Sequence, residues 1–310
     1  MVPFLSARDV LRAVSPALAY DVVRDAFVHH ARGEWTMQPK LYVTNYPAGD
    51  FRAMPAIGGG HALLKWVTSF PGNPARGLPT VTGLVLLSNA ETGMLEAVLD
   101  AGAVTALRTG AAAVIAADAL ARAGSGEAAV IGAGVNGAAV ARTFAARGRP
   151  VAVWDLDSER ARAVAAEVGG RPVSREEALA ADVVVTVTPG RRVLFEASSL
   201  QPGQHVSLLG ADGPGKAEIA LEELARARVV CDEREQSTHG GELAAAAAAS
   251  HPLLADVVEL GPVLLGSVDG RRTDEEITVF DSTGLAIQDL AIAIAALGVA
   301  DDLDLPTLDI

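Results

Sequence analysis

The chain has 310 residues, 50% of them hydrophobic and 20% charged, a composition that excludes disorder and a length that fits two domains better than one large core. With 38 acidic against 25 basic residues the net charge is −13. So acidic a chain has no general electrostatic footprint for nucleic acid or anionic lipid, although a local basic pocket is compatible with it.

From Ser6 to Arg32 the apolar residues Val10, Leu11, Val14, Leu18, Val22, Val23 and Phe27 recur near helical spacing. Ser6 reads as an N-cap, and Ser15-Pro16 as the restart of a second helix. Between residues 40 and 100 the pattern changes. Leu41 to Val43, Leu63 to Phe70, Val81 to Leu87 and Met94 to Leu99 are β-rich runs parted by Gly, Pro and Asn, which predicts an antiparallel sheet. Ala111 to Ala123 is so apolar all round that it predicts a buried helix.

A β/α alternation then begins. Ala128 to Ile131 reads as a buried strand, Gly132 to Gly137 as a glycine loop, and Ala138 to Ala146 as a helix. The strand Val151 to Trp154 follows, closed by Asp155. Next come helices at Ser158 to Val168 and Arg175 to Ala180 and strands at Asp182 to Val187 and Gln204 to Leu209. The last strand leads into Gly210-Ala211-Asp212-Gly213-Pro214-Gly215. Such alternation implies a parallel sheet covered on both faces. The alanine run 244–249 reads as one helix.

Gly132-Ala133-Gly134-Val135-Asn136-Gly137 matches G-x-G-x-x-G in its full context, after a strand, opening a helix, and answered by an acid after the next strand. Gly132 permits the tight turn, Gly134 lets a pyrophosphate reach bare backbone, and Gly137 lets helix and strand pack closely. The N–H groups of Val135 and Asn136 at the helix start favour phosphate oxygens. Asp155 is placed to accept from the adenosine ribose 2′-hydroxyl, and no Arg or Lys at 155–158 waits for a 2′-phosphate. The expected cofactor is NAD(H) rather than NADP(H).

Several segments together resemble the ornithine cyclodeaminase/mu-crystallin family. They are Lys65-Trp-Val-Thr-Ser-Phe-Pro-Gly-Asn73, Gly77-Leu-Pro-Thr80, Glu91-Thr-Gly93, Thr105-Ala-Leu-Arg108-Thr-Gly-Ala-Ala112, Gly210 to Lys216, Gly241-Glu242 and Thr278 to Gly284. Their order holds from about residue 35 to the C-terminus. The resemblance implies an α/β protein: a doubly wound Rossmann domain, 124–284, and a discontinuous α+β substrate and dimerisation domain, 1–123 completed by 285–310. It also implies a homodimer.

The resemblance assigns roles residue by residue. Substrate-carboxylate groups fall on Lys65, Arg108 and Lys40, the last where the family usually has Arg. Fixed cations suit a carboxylate, and Lys65 and Arg108 lie in apolar runs where an unpaired charge would be costly. Met54, Thr80 and Thr283 match substrate-side positions, while Thr109, Thr186, Thr188, Ser207, Lys216 and Ser282 match cofactor-side ones. All of these also read as ordinary strand-end or loop residues. Asp212 matches the family's acid/base, although Asp-Gly is also a common turn pair. Lys65 joins it as a catalytic candidate. Where cyclodeaminases carry a Glu facing the substrate's distal amine, this chain has Arg52, which disfavours ornithine.

The function implied is an NAD-dependent oxidoreductase moving a hydride between a substrate Cα and nicotinamide, in the manner of alanine dehydrogenases or imino acid reductases. The alternatives are an ornithine cyclodeaminase and a non-catalytic nucleotide-binding protein like the mu-crystallins. The six histidines show no ligand spacing and no nucleophile elbow occurs, so neither a metal nor Ser-His-Asp chemistry is expected. Cys231 is the single cysteine, which rules out an internal disulfide. The segment from Met1 to Asp9 lacks the leader pattern, and no run of about 18 uncharged apolar residues occurs. A cytoplasmic protein with a small amino or imino acid as partner, and neither nucleic acid nor membrane, is the expectation.

Overall fold

Asp9 accepts from Ser6 N at 3.1 Å and from the Ser6 hydroxyl at 2.5 Å where α1 (Ala7–Ala13) starts, and the Ser15 hydroxyl accepts from Leu18 N at 3.2 Å to start α2 (Pro16–Ala31). The single helical stripe of the sequence is therefore two helices broken at Ser15-Pro16, as its spacing predicts. The computed structural model describes residues 1–310 except Arg191, Pro214 and Ile310. Pro214 of the predicted Gly210–Gly215 loop and Ile310 of the predicted 285–310 segment thus lie outside the described residues. The chain divides into two units, Met1–Arg108 with Leu285–Ile310, and Thr109–Gly284. The division falls inside one continuous helix, α3 (Ala101–Leu120), rather than after residue 123. That helix starts ten residues ahead of the alanine-rich run, because Asp100 Oδ1 accepts from Ala103 N at 2.7 Å and caps it.

The first unit is a mostly antiparallel sheet. Its strands are β1 (Val2–Leu5), β2 (Thr36–Met37), β3 (Leu41–Asn45), β4 (Gly49–Gly58), β5 (His61–Ser69), β6 (Val81–Asn89), β7 (Leu95–Asp100) and β16 (Thr307–Leu308). Their order is β16-β1-β7-β6-β5-β4-β2, with β3 also on β4. In β5 Leu63, Lys65 and Val67 are buried while Leu64 and Trp66 are exposed, the period-2 signature of a one-sided sheet. The helix α11 (Ala286–Leu297) packs on β4 and β5 and against α2. Sequence patterning passed over β4 because Pro55 sits in its middle. Pro55 is tolerated because β3 pairs only as far as Ala53 and β2 only from Ala56, so no strand stands opposite it on that edge.

In the second unit the strands are β8 (Ala128–Ile131), β9 (Val151–Trp154), β10 (Arg171–Pro172), β11 (Val183–Thr186), β12 (His205–Leu208), β13 (Arg228–Cys231), β14 (Val258–Glu259) and β15 (Thr278–Asp281). All are parallel, in the order β10-β9-β8-β11-β12-β15-β13-β14. Around them lie α4 (Val135–Ala146), α5 (Ser158–Val168), α6 (Arg175–Leu179), α7 (Leu221–Leu224), α8 (Arg234–Gly240), α9 (Leu243–Ala248) and α10 (Leu260–Leu264). This is a doubly wound Rossmann sheet. Chain order reverses between β8 and β11, and the crevice beyond the carboxyl ends of those strands is where such sheets hold ligands. The central strands β8, β11, β12, β13 and β15 are buried along their whole length, as a sheet covered on both faces requires. Among the described residues α3 alone is long and apolar enough to cross a membrane, and it is mostly buried within the protein.

Candidate active site

The glycine loop lies at the switch point. Gly132 leaves β8 with φ at +105°, and a Cβ there would stand 2.7 Å from Val187 O. A Cβ on Gly137 would stand 1.7 Å from Gly132 O. The chain's own packing therefore demands both glycines. Gly134 differs, since a Cβ there would meet nothing within 4 Å, so its bareness serves whatever approaches from outside. It is the N-cap of α4 and has no side chain to satisfy the N–H groups of Val135 and Asn136. Asp155 stands at the end of β9. Its Oδ2 accepts from Ala133 N at 2.6 Å and its Oδ1 from Asp157 N at 2.8 Å, which holds the carboxylate against the loop. Asp157 caps α5 and lies 3.2 Å from Arg160. A dinucleotide fits this cradle.

In the first unit β4 and β5 pair with Met54 opposite Lys65 and Arg52 opposite Val67, so Arg52, Met54 and Lys65 share the inward face. Lys65 Nζ donates to Asp289 Oδ1 of α11 at 2.8 Å, and both side chains are buried. Arg108 Nε lies 3.8 Å from the same oxygen. Arg52 donates to Asp50 at 2.6 Å and stacks 5.3 Å from the centre of the Tyr42 ring. Burial pulls the Lys65 ammonium down to about 8; Asp289 opposes that, while Arg108 and Arg52 add to it. Three cations, Lys65, Arg108 and Arg52, gather here beside Asp289 and Asp50, an arrangement that suits a substrate carboxylate. Lys40, between β2 and β3, and Thr80, before β6, are half-buried. Thr80 bonds through its carbonyl, which accepts from Phe70 N at 2.8 Å.

Asp212 lies in the loop beyond the carboxyl end of β12, partly exposed, and accepts from Lys216 Nζ at 2.5 Å. Two buried carboxylates tie that loop down. Glu218 accepts from Thr186 Oγ1 at 2.7 Å, from Thr188 Oγ1 at 2.5 Å and from Gly210 N at 2.8 Å, while Glu242 accepts from Glu218 N at 2.9 Å. The hydroxyl protons of Thr186 and Thr188 are thus spent inside the protein. Ser207 is also fully buried, its hydroxyl 2.9 Å from Nε2 of His205, a ring that burial keeps neutral to about pH 3. Thr109 is buried, and its hydroxyl has no partner among the described residues. Thr283 donates from both N and Oγ1 to Asp232, at 2.7 and 2.9 Å, and Ser282 donates more weakly to the same carboxylate.

The model of the ornithine cyclodeaminase/mu-crystallin family matches residues 3–299. This chain belongs to that family. An alanine dehydrogenase from Archaeoglobus fulgidus is 43% identical over 299 residues, covering 93% of this chain and 92% of the relative. Among solved structures, an archaeal alanine dehydrogenase dimer with bound NAD superposes with a TM-score of 0.91 at 40% identity, over 97% and 96% of the two chains. The iminosuccinate reductase of Paracoccus denitrificans in complex with NAD+ superposes with a TM-score of 0.88 at 28% identity, over 97% of each chain.

Three residues of this family member escaped the sequence reading. Asp289 belongs to no motif in the sequence, and it is the counter-ion of Lys65. Glu218 and Asp232 carried no motif of their own, yet each collects donors from segments far away in the chain. The Gly241-Glu242 pair was noted without a role. Gly241 leaves room for the Asp281 carboxylate, 2.6 Å from where its Cβ would be, and Glu242 caps the loop end at Glu218.

Proposed function

We propose that this chain is an NAD-dependent oxidoreductase interconverting a small amino acid with its imine, in the manner of an alanine dehydrogenase or imino acid reductase. The observation that carries this reading is the cation group of buried Lys65 and Arg52 with partly buried Arg108, gathered beside Asp289 and Asp50. NAD, held by Gly132, Gly134, Val135, Asn136, Gly137 and Asp155, supplies hydride acceptance and donation at its nicotinamide. Lys65 and Arg108 hold the substrate carboxylate, and Arg52 and Met54 shape the side-chain end of the site beside them. Asp212 takes the proton that the amine must lose before its nitrogen lone pair can form the C=N bond, and then serves the water that hydrolyses the imine. The balance is an amino acid, NAD+ and water giving a 2-oxo acid, ammonium, NADH and a proton.

The working unit is a homodimer in a cytoplasmic setting. Leu41, Ala53, Trp66 and Leu84 form one cross-strand row on the outer face of the first unit's sheet, with Leu41, Trp66 and Leu84 exposed and Phe51 stacked on Trp66. A contiguous apolar face of this kind supports pairing with a second copy. Cys231 is buried and free, so folding needs no oxidising compartment.

The test is a panel of L-amino acids with NAD+, and of 2-oxo acids with ammonium or methylamine and NADH, followed by NADH absorbance. Alanine and pyruvate, or another small neutral or acidic pair, should turn over fastest. Conversion of ornithine to proline and ammonia at a higher rate than any dehydrogenase reaction would replace this reading with a cyclodeaminase. NAD binding without turnover of any of these compounds would replace it with a non-catalytic binding protein.

A further inference from the structure

Asp289 is buried in the first turn of an otherwise apolar helix, where an acid is favoured by the helix dipole but needs no partner across the unit. It nevertheless reaches across to β5 and takes the Lys65 ammonium at 2.8 Å. Its other oxygen, Oδ2, is buried with no hydrogen-bond partner among the described residues. The same is true of Arg108 Nε, which lies 3.8 Å from Oδ1, too far for a hydrogen bond. The carboxylate therefore gives its hydrogen bond to the lysine and leaves Arg108 Nε, within ion-pair distance, without one among the described residues.

We propose that Asp289 is the positioning residue of this cation site: its carboxylate fixes the place and charge of the Lys65 ammonium and leaves Arg108 Nε as the open donor for an incoming carboxylate. The inference rests on the reading of Lys65 and Arg108 as carboxylate-binding groups. Lys65 is faced by Arg52, with its partner Asp50, from β4, by Val85 from β6, by Arg108 from α3 and by Asp289 from α11. Burial and both guanidiniums act to remove the lysine's proton, and Asp289 retains it. Without that charge burial and the two guanidiniums act on Lys65 with less to oppose them, and the site holds its cation less firmly.

The chain has only three lysines, Lys40, Lys65 and Lys216. Protein labelled with 13C at lysine Cε and loaded with NAD+ therefore gives three signals, assigned by single Lys→Arg variants, and the Lys65 midpoint can be read directly without turnover. In Asp289→Asn that midpoint should fall by about one pH unit or more, with the other two unmoved. Affinity of the NADH-loaded protein for pyruvate at pH 7.5 should fall at least about ten-fold. A Lys65 midpoint that stays put overturns the proposal, because a merely structural Asp289 would leave it unchanged. Lys65→Met separates the two levels: if it binds pyruvate as the parent does, the carboxylate-site reading fails, whatever Asp289 does. Should Asp289→Asn not fold, the double variant Lys65→Met with Asp289→Asn removes both charges and should fold. A double variant that folds no better than the single one also overturns the proposal.

Discussion

Gly210 and Glu218 close the Asp212 loop on itself: Gly210 N donates to Glu218 Oε2 at 2.8 Å, and a Cβ on Gly210 would stand 2.5 Å from Glu218 Cδ. The glycine at 210 is therefore demanded by a carboxylate eight positions on. The hydroxyls of Thr186 and Thr188 and the backbone N–H groups of Gly210 and Thr188 converge on Glu218, and an amide of the same shape presents an NH2 to at least one of them. Glu218→Gln should cost about 1–3 kcal/mol of stability and lower kcat more than it weakens NADH binding. Thermal unfolding with paired kcat and Kd measurements checks this. An unchanged melting point with full activity would remove Glu218 from any role in the loop.

Asp155 does two things, because it already accepts from Ala133 N and Asp157 N while keeping lone pairs for a ribose hydroxyl. NAD(H) should bind at least ten-fold more tightly than NADP(H), about 1.4 kcal/mol. Asp155→Ser should narrow that gap and also weaken NAD(H), because the loop loses its tie. Titrating both reduced cofactors by fluorescence decides the matter, and equal dissociation constants in the parent protein would refute it.

L-ornithine should be a poor substrate, because Arg52 faces the same side of the sheet as Lys65. The structure also refines the exchange that would reverse this preference. Asp50 lies 2.6 Å from Arg52, so Arg52→Glu alone sets two buried carboxylates side by side and should unfold the protein near neutral pH. Asp50→Asn combined with Arg52→Glu removes that conflict and should raise the ratio of ornithine to alanine turnover. A ratio that does not move would detach Arg52 from specificity.

What could be read before the fold was known follows from how far each interaction reaches. The strand β8, the glycine loop and the strand β9 are one local unit whose pattern is complete within about 25 residues, and the structure keeps both strands residue for residue while α4 starts at Val135, three residues ahead of the expected Ala138. The strand β4 was hidden because Pro55 contradicts a strand unless one knows that its neighbours leave a gap opposite it. Asp289 was illegible as a site residue because its partner Lys65 is 224 positions away. The threonines at 186 and 188 were legible as strand-end residues, but their hydroxyls turn inward to Glu218, a partner that no periodicity announces.

Glu242 and Asp281 predict an alkaline loss of stability. Burial first, and the charges of Asp281 and Glu218 second, raise Glu242 from 4.5 to about 9; burial, with Asp232 adding to it, raises Asp281 from 3.8 to about 7. Groups raised on folding take up protons in the native state, so their contribution is whole below about pH 4 and is lost as pH rises through the folded values. Lys65, lowered on folding, acts in the opposite sense between about 8 and 10.5, so the comparison must be between variants that all retain it. The parent's Tm should fall between pH 6 and 9, and Glu242→Gln should fall less and stand a few degrees above the parent at pH 9. Parallel Tm curves would show that Glu242 does not titrate in this range.

Asp212→Asn should abolish turnover while leaving cofactor binding nearly intact. The substrate amine arrives as an ammonium, and an imine cannot develop until a proton acceptor relieves it. A carboxylate can do so where an amide of the same shape cannot, and general acid–base groups contribute about 10²- to 10⁴-fold. kcat should therefore fall at least a hundred-fold. On the proposed reading the pyrophosphate and ribose are held elsewhere, at Gly132 to Gly137 and Asp155, so NADH affinity should change by less than about three-fold. The ion pair with Lys216 supplies a control. Lys216→Met removes this ion pair but keeps the carboxylate, and should retain activity well above that of Asp212→Asn. The competing view is that Asp212 only shapes the turn before Gly213, a place where Asn is among the best substitutes. On that view Asp212→Asn keeps full activity and Lys216→Met, which breaks the pair holding the loop, is the more damaging change, so the order of the two variants decides between base and turn.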